Sequence, residues 1–245
     1  MKAWKLLGQT CTPDGSDMRL IARDSEYVIL VNGETLMSSR MHGSEEALAT
    51  VACRRVHTSE RPRVLVGGLG MGFTLRATLD LLSPDAIVTV AELVPAVVEW
   101  NRGPLASLAG HPLNDRRVRI KGGEEVGFTL RANPGQFDVI LLDVDNGPAE
   151  FTASVNRGLY DNAGVAAAYA ALRVGGALAV WSAWEDRKFE QRLRFHGFVA
   201  QGDRVRARLK KGGGWHTIFL GFKQAHRGHC QVEGERPNMM PNMAR

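Results

Sequence analysis

Residues 64–72 read V-L-V-G-G-L-G-M-G, and residues 73–82 continue F-T-L-R-A-T-L-D-L-L. Val64-Leu65-Val66 is wholly apolar, the pattern of a strand buried on both faces. The stretch from Phe73 to Leu82 is amphipathic and predicts a helix. Gly68, Gly70 and Gly72 lie between them. Glycines at a strand-to-helix turn permit the tight bend and let a ligand approach the backbone. A dinucleotide fingerprint is G-x-G-x-x-G. Here the third glycine arrives one residue early, and Phe73 takes the expected place. The spacing therefore argues against a dinucleotide.

Downstream, apolar strands and helical stretches alternate. Ile87–Ala91 predicts a second strand ending at Glu92-Leu93, and Pro95–Asn101 a helix. Val118–Ile120 predicts a third strand, with Glu124 just beyond it, and Val126–Ala132 a helix. Val139–Leu142 predicts a fourth strand ending at Asp143. Ala163–Leu172 reads as a helix stopped by Gly175-Gly176, Ala177–Trp181 as a fifth strand, and Phe189–His196 as a helix. Arg204–Leu209 and Trp215–Phe222 alternate around a Lys-Gly-Gly-Gly turn and predict a hairpin. The fold class expected is α/β: a Rossmann-like, mainly parallel sheet flanked by helices, with an antiparallel C-terminal hairpin.

Upstream, Met18–Ala22, Tyr27–Val31 and Thr35–Met37 are short strand-like runs, the last two joined by Asn32-Gly33, a hairpin signal. Gly43-Ser44-Glu45-Glu46 opens a helix to about His57, with Ser44 as its expected N-cap and two acids at its positive end. The expected organisation is a β-rich extension over 1–42, a nucleoside-binding catalytic domain over 43–223, and a disordered polar tail over 224–245.

Open parallel sheets bind ligands at the carboxyl ends of their strands. Glu92 is placed to accept both ribose hydroxyls, Glu124 to accept from an adenine amino group, and Asp143 faces the same crevice. With Gly68, Leu69, Gly70, Gly72 and Leu93 they form the expected nucleoside site. The G-x-G-x-G spacing and these carboxylates point to a cationic sulfonium nucleoside of the S-adenosylmethionine type.

The remaining composition narrows the class. A net charge of +5 and pI of 9.4 come from scattered arginines, with no Lys/Arg run interleaved with aromatics. Nucleic-acid binding is therefore not expected. The three cysteines, Cys11, Cys53 and Cys230, imply neither a disulfide framework nor a zinc ribbon. No stretch suits a signal peptide or membrane span, so a cytoplasmic protein without a membrane partner is expected. His226, His229 and Cys230 fall in the tail and are not read as a metal site; His216 reads as structural, and Arg204, Arg206 and Arg208 as a solvated strand face.

Residues 26–222 resemble the spermidine synthase superfamily, a branch of the class I S-adenosylmethionine-dependent methyltransferase fold. The resemblance is carried by V-L-V-G-G-L-G-M-G-F-T-L-R (64–76), V-A-E-L (90–93), R-V-R-I-K-G-G-E (117–124), F-D-V-I-L-L-D (137–143) and G-P-A (147–149), with N-G-E-T-L-M-S-S-R (32–40) similar to the family's N-terminal extension. It implies a soluble transferase acting on a small-molecule acceptor, and a homodimer. Aminopropyltransferases of this family carry G-G-G-D-G-G, whose Asp holds the amine of decarboxylated S-adenosylmethionine. Aligned on Leu75-Arg76, that position is Met71. Their D-x-x-D-P motif supplies an Asp that helps deprotonate the attacking amine. Here the loop is Asp143-Val144-Asp145-Asn146-Gly147-Pro148, so either Asp145 or Asn146 falls at that place. The Gln and Tyr-His-Glu positions of the extension are also replaced, with Leu36 and Glu45-Glu46 in that neighbourhood.

These departures favour methyl transfer from S-adenosylmethionine to a small amine or similar nucleophile. Aminopropyl transfer from the decarboxylated cofactor is the alternative, and non-catalytic nucleoside binding the second. Asp145 and Asn146 are the expected catalytic residues, as base and as polar anchor, with Trp181 and Trp184 as an apolar wall or cation contact.

Overall fold

The computed structural model describes residues 2–54, 56, 59–144, 147–148, 157–207 and 214–225. Two sheets share one core. Strands β1 (Lys5–Cys11), β2 (Asp17–Arg23), β3 (Glu26–Val31) and β4 (Glu34–Ser38) form an antiparallel meander in chain order. Asn32 and Gly33 both have positive φ, as a tight hairpin turn between right-twisted strands requires. β1 is additional to the sequence-based expectation: its residues are mostly exposed or half-buried and carry little periodic signal.

Helix α1 (Gly43–Cys53) leads into the larger sheet. The chain then runs β5 (Arg63–Gly67), α2 (Phe73–Leu81), β6 (Ile87–Glu92), α3 (Pro95–Arg102), β7 (Val118–Gly122), α4 (Val126–Ala132), β8 (Phe137–Leu142), α5 (Arg157–Tyr160), α6 (Asn162–Ala171), β9 (Leu172–Ser182), α7 (Arg187–Phe195), β10 (Phe198–Arg206) and β11 (Trp215–Lys223). The seven strands lie in the order β10-β11-β9-β8-β5-β6-β7. β7, β6, β5, β8 and β9 are parallel, while β11 pairs antiparallel with both β9 and β10. The α/β class and the C-terminal hairpin are thus as the sequence predicts.

The unbroken apolar strands follow from two-sided burial. Val64 and Val66 belong to the core formed with α1, α2, α3 and the meander, whereas Leu65 belongs to the core formed with α4, α6 and α7. Met18, Leu20 and Ile29 of the meander join the first of these cores, so the small sheet is packed onto the large one.

Two local expectations are corrected. Gly175-Gly176 does not stop a helix before a later strand; α6 ends at Ala171, and β9 begins at Leu172 and runs through the glycines. Ser44 is not a cap. His42 holds the N-cap position of α1 without a side-chain cap bond, and Ser44 lies inside the helix. His42 instead stacks on Phe73 at 4.2 Å, pinning the start of α1 to the start of α2.

Candidate active site

β5 pairs with β6 on one side and β8 on the other, so the chain reverses its direction of sheet growth beside β5. A crevice opens at the carboxyl ends of strands at such a point. A cavity of about 320 Å³ lies there. Gly68, Gly70, Glu92, Leu93 and Asp143 form its floor. The meander and its β1–β2 turn form the opposite wall, with Asp14, Met18, Ile29 and Met37 among its members.

The glycine loop is shaped to this crevice. Gly68 has φ +85°, and a Cβ there would overlap the carbonyl oxygen of Asp143. Gly70 has φ +51°, and a Cβ there would press within 3.1 Å of Met37 Sδ. Gly68 has no room for a side chain, and one at Gly70 would require the end of Met37 to shift. Asn101 of α3 fixes the loop from behind, its Nδ2 donating to the carbonyls of Gly70 (2.8 Å) and Val97 (2.9 Å).

Glu92 ends β6 and is buried. Its Oε2 accepts from the Leu69 N–H and its Oε1 from the Val94 N–H, each at 2.8 Å. The carboxylate therefore ties the glycine loop to the loop after β6. Each oxygen of a carboxylate can accept more than one hydrogen bond, and ribose hydroxyls are donors of the kind it takes. The cradle and this acceptor fit a nucleoside.

The other expected residues divide. Leu69 is buried behind the loop, and Gly72 faces Asn101, Ala109 and Pro112. Glu124 does not line the cavity. Its carboxylate takes the Lys121 ammonium at 2.9 Å and the Thr129 hydroxyl. Burial pushes its pKa up, but those two partners outweigh it and the net shift is downward. Asp145 and Asn146 lie outside the described residues. Trp181 lines the cavity, whereas Trp184 is exposed and lies off it. Met71 is fully buried. Arg204 and Arg206 lie over the Trp215 ring at 5.2 and 4.0 Å, and Arg204 also meets Glu185 at 3.4 Å.

A group of residues that the sequence reading did not assign completes the site. Glu45, in the first turn of α1, is buried and lines the cavity with Asp143. Its Oε2 accepts from the Ser44 hydroxyl at 2.7 Å, and that hydroxyl meets His216 Nδ1 from β11 at 2.9 Å. The His216 ring packs edge-on to Trp181 at 4.6 Å between centroids. Asp143 Oδ2 accepts from the Thr74 hydroxyl at 2.5 Å.

These acids are strongly perturbed. Burial pushes Asp143 up to about 6, against the pull of the Thr74 hydroxyl. Burial, and then the like charge of Asp143, pushes Glu45 up to about 8, opposed by Ser44. Burial pulls His216 down. A signal for Glu45 does exist in the sequence. It shares a helical face with the buried Leu48, Ala49 and Ala52, so it is a carboxylate on an apolar stripe.

No family model matches the sequence, and no curated protein matches it. Solved structures do match. A spermidine synthase in complex with the transition state analogue AdoDATO superposes with a TM-score of 0.68 at 18% identity, covering 89% of this chain and 72% of the other. The spermidine synthase of Thermotoga maritima gives 0.69 at 18% identity with the same coverage. A probable spermidine synthase from Corynebacterium glutamicum gives 0.61 at 18% identity, covering 88% and 79%. The chain shares the fold of these spermidine synthases.

Proposed function

We propose that this chain is a transferase that moves an alkyl group from an S-adenosyl sulfonium nucleoside to a small cationic amine, and that its donor is the decarboxylated form. The observation that carries this reading is the charge of the cavity wall. Asp14, Glu45, Glu92 and Asp143 line it, and no described Lys or Arg does. A donor that keeps its amino-acid carboxylate would bring a further negative charge into a site with no described arginine or lysine to receive it. A decarboxylated donor brings only cationic groups, the sulfonium and an ammonium. An amine acceptor adds a third. Like charges crowded in a site of reduced dielectric repel, and opposite ones attract, far more than in water. The fold shared with spermidine synthases supports the same choice.

Gly68 and Gly70 would receive the nucleoside along the backbone, and Glu92 would accept from its ribose. The bound donor supplies an electrophilic carbon next to a positively charged sulfur. The protein supplies position and dryness. Asp143, ionised when a cation is present, would hold an ammonium at the floor of the cavity. Trp181 would give that cation an aromatic wall.

One observation favours methyl transfer from S-adenosylmethionine instead. Met71 stands where aminopropyltransferases of the resembled family carry an amine-holding Asp, and it is sealed in the core. Calorimetric titration of the purified protein with the two donors separates the readings. Preference for the decarboxylated donor by at least about tenfold, some 1.4 kcal/mol, is expected. Preference for the carboxylated donor would establish methyl transfer as the better reading, and binding of neither would remove both.

A further inference from the structure

The pair Glu45 and Asp143 meets a third group from a distant strand, and its bonding has a direction. Ser44 has one hydroxyl proton and two neighbours, Glu45 Oε2 at 2.7 Å and His216 Nδ1 at 2.9 Å. Two polarities satisfy this chain. With Glu45 ionised, Ser44 donates to Glu45 and a protonated Nδ1 donates to Ser44. With Glu45 protonated, Glu45 donates to Ser44 and Ser44 donates to a bare Nδ1. The second polarity leads a proton from Glu45 to the His216 imidazole on β11, which lines the same cavity. We propose that Glu45 is the base that takes the proton from the acceptor amine, and that Ser44 and His216 relay that proton from it.

The inference rests on the amine-alkylating reading above. It divides the two carboxylates by their bonding. Asp143 is capped by the Thr74 hydroxyl, which stabilises its ionised form, so it serves as the fixed anion beside the ammonium. Glu45 has the proton path and the weaker acidity, which suits a base working near neutrality. Two like charges in one buried site resist simultaneous ionisation, so the empty pair retains about one proton near pH 7. An entering ammonium reverses that preference and expels the proton. The charged and titratable groups around Glu45 fit this account. Asp143 approaches from β8, Glu46 from its own helix and His216 through Ser44, and Glu92 and Asp14 line the same cavity. His216 is pulled below its ordinary value by burial, so it accepts a proton transiently and yields it again.

The step balances. Ionised Glu45 takes one proton from R–NH3+, leaving R–NH2. The nitrogen lone pair forms the N–C bond as the C–S bond breaks. Its electron pair goes to sulfur, which becomes a neutral thioether, and the product amine carries the positive charge.

The test uses the full chain, decarboxylated S-adenosylmethionine and 1,4-diaminobutane, with Glu45→Gln and Ser44→Ala variants. Calorimetry in two buffers of different ionisation enthalpy counts protons released when the diamine binds, a readout independent of turnover. Release of about one proton near pH 7 is expected from the wild type and none from Glu45→Gln. Turnover by Glu45→Gln should fall about 10²–10⁴-fold while donor affinity stays within about threefold. Ser44→Ala removes a hydrogen bond that holds the pKa of Glu45 down, so the acid limb of its pH–rate profile should move to higher pH. Wild-type proton release and turnover in Glu45→Gln would overturn the role of Glu45 and leave the amine reading standing. An unmoved acid limb in Ser44→Ala would overturn the conduction path. A wild type that binds the donor but neither binds nor alkylates any amine would overturn the amine reading and this inference with it.

Discussion

Glu92 has two tasks at one carboxylate, and they can be separated by experiment. It satisfies the backbone N–H groups of Leu69 and Val94, and in the proposed reading it also accepts from the ribose. Removing it strands buried donors, at a cost of about 1–3 kcal/mol. Glu92→Ala should therefore lower stability by about that amount in urea titration and weaken donor binding by at least about tenfold. A variant with unaltered donor affinity would take Glu92 out of the nucleoside site. Residues of this kind were legible in the sequence because each closes a strand, and strand ends in a parallel sheet converge. Glu92 and Asp143 follow from that rule, Gly68 and Gly70 from the glycine spacing, and all four line the cavity. Glu45, Ser44 and His216 were not. Ser44 and His216 are 172 residues apart, and only the sheet order, which inserts β11 beside β9, brings them together. Glu124 shows the limit of spacing alone. Spacing placed it at a strand end, but its neighbours Lys121 and Thr129 engage the carboxylate away from the crevice.

At the scale of elements, α1 bears the weight of the site. It has no side-chain cap, and Gly43, Thr50 and Val51 are weak helix formers, so packing rather than intrinsic helicity keeps it in place. Leu48 is fully buried at the contact with α2 and the sheet. Leu48→Ala should cost about 2–5 kcal/mol by denaturant titration. It should also lower turnover at temperatures where the remaining protein is still folded, because Glu45 lies one turn earlier on the same helix. Full activity in the folded fraction would show that Glu45 tolerates a shifted helix. The centre of the large sheet was legible because β5 and β8 carry short, unbroken apolar runs. β1 was not, because a half-exposed strand at the edge of a meander offers neither alternation nor a continuous apolar run.

For the molecule as a whole, the buried acids set a pH dependence of stability. Glu45 is raised from the ordinary 4.5 to about 8 by burial and the charge of Asp143, and Asp143 is raised to about 6 by burial. The folded chain therefore holds protons that the unfolded chain releases. Stability from these groups is complete below the unfolded value and is lost as pH rises through the folded one. His216, lowered by burial, runs the other way up to its ordinary 6.5. Asp115, held down to about 2 chiefly by Arg117, matters only in acid. Comparing wild type with Glu45→Gln isolates the acid pair. The wild type should lose a few kcal/mol relative to the variant between pH 5 and 8.5. Parallel stability curves would show that Glu45 is ionised throughout.

The division of the cavity between two sheets has a consequence for descent. The floor belongs to one contiguous run of strands, loops and helices, while much of the facing wall belongs to a meander that shares no strand with it. Substitutions in the meander reshape one side of the chamber without disturbing the glycine turn or Glu92. A lineage built on this plan can keep the floor of the chamber unchanged while its facing wall drifts.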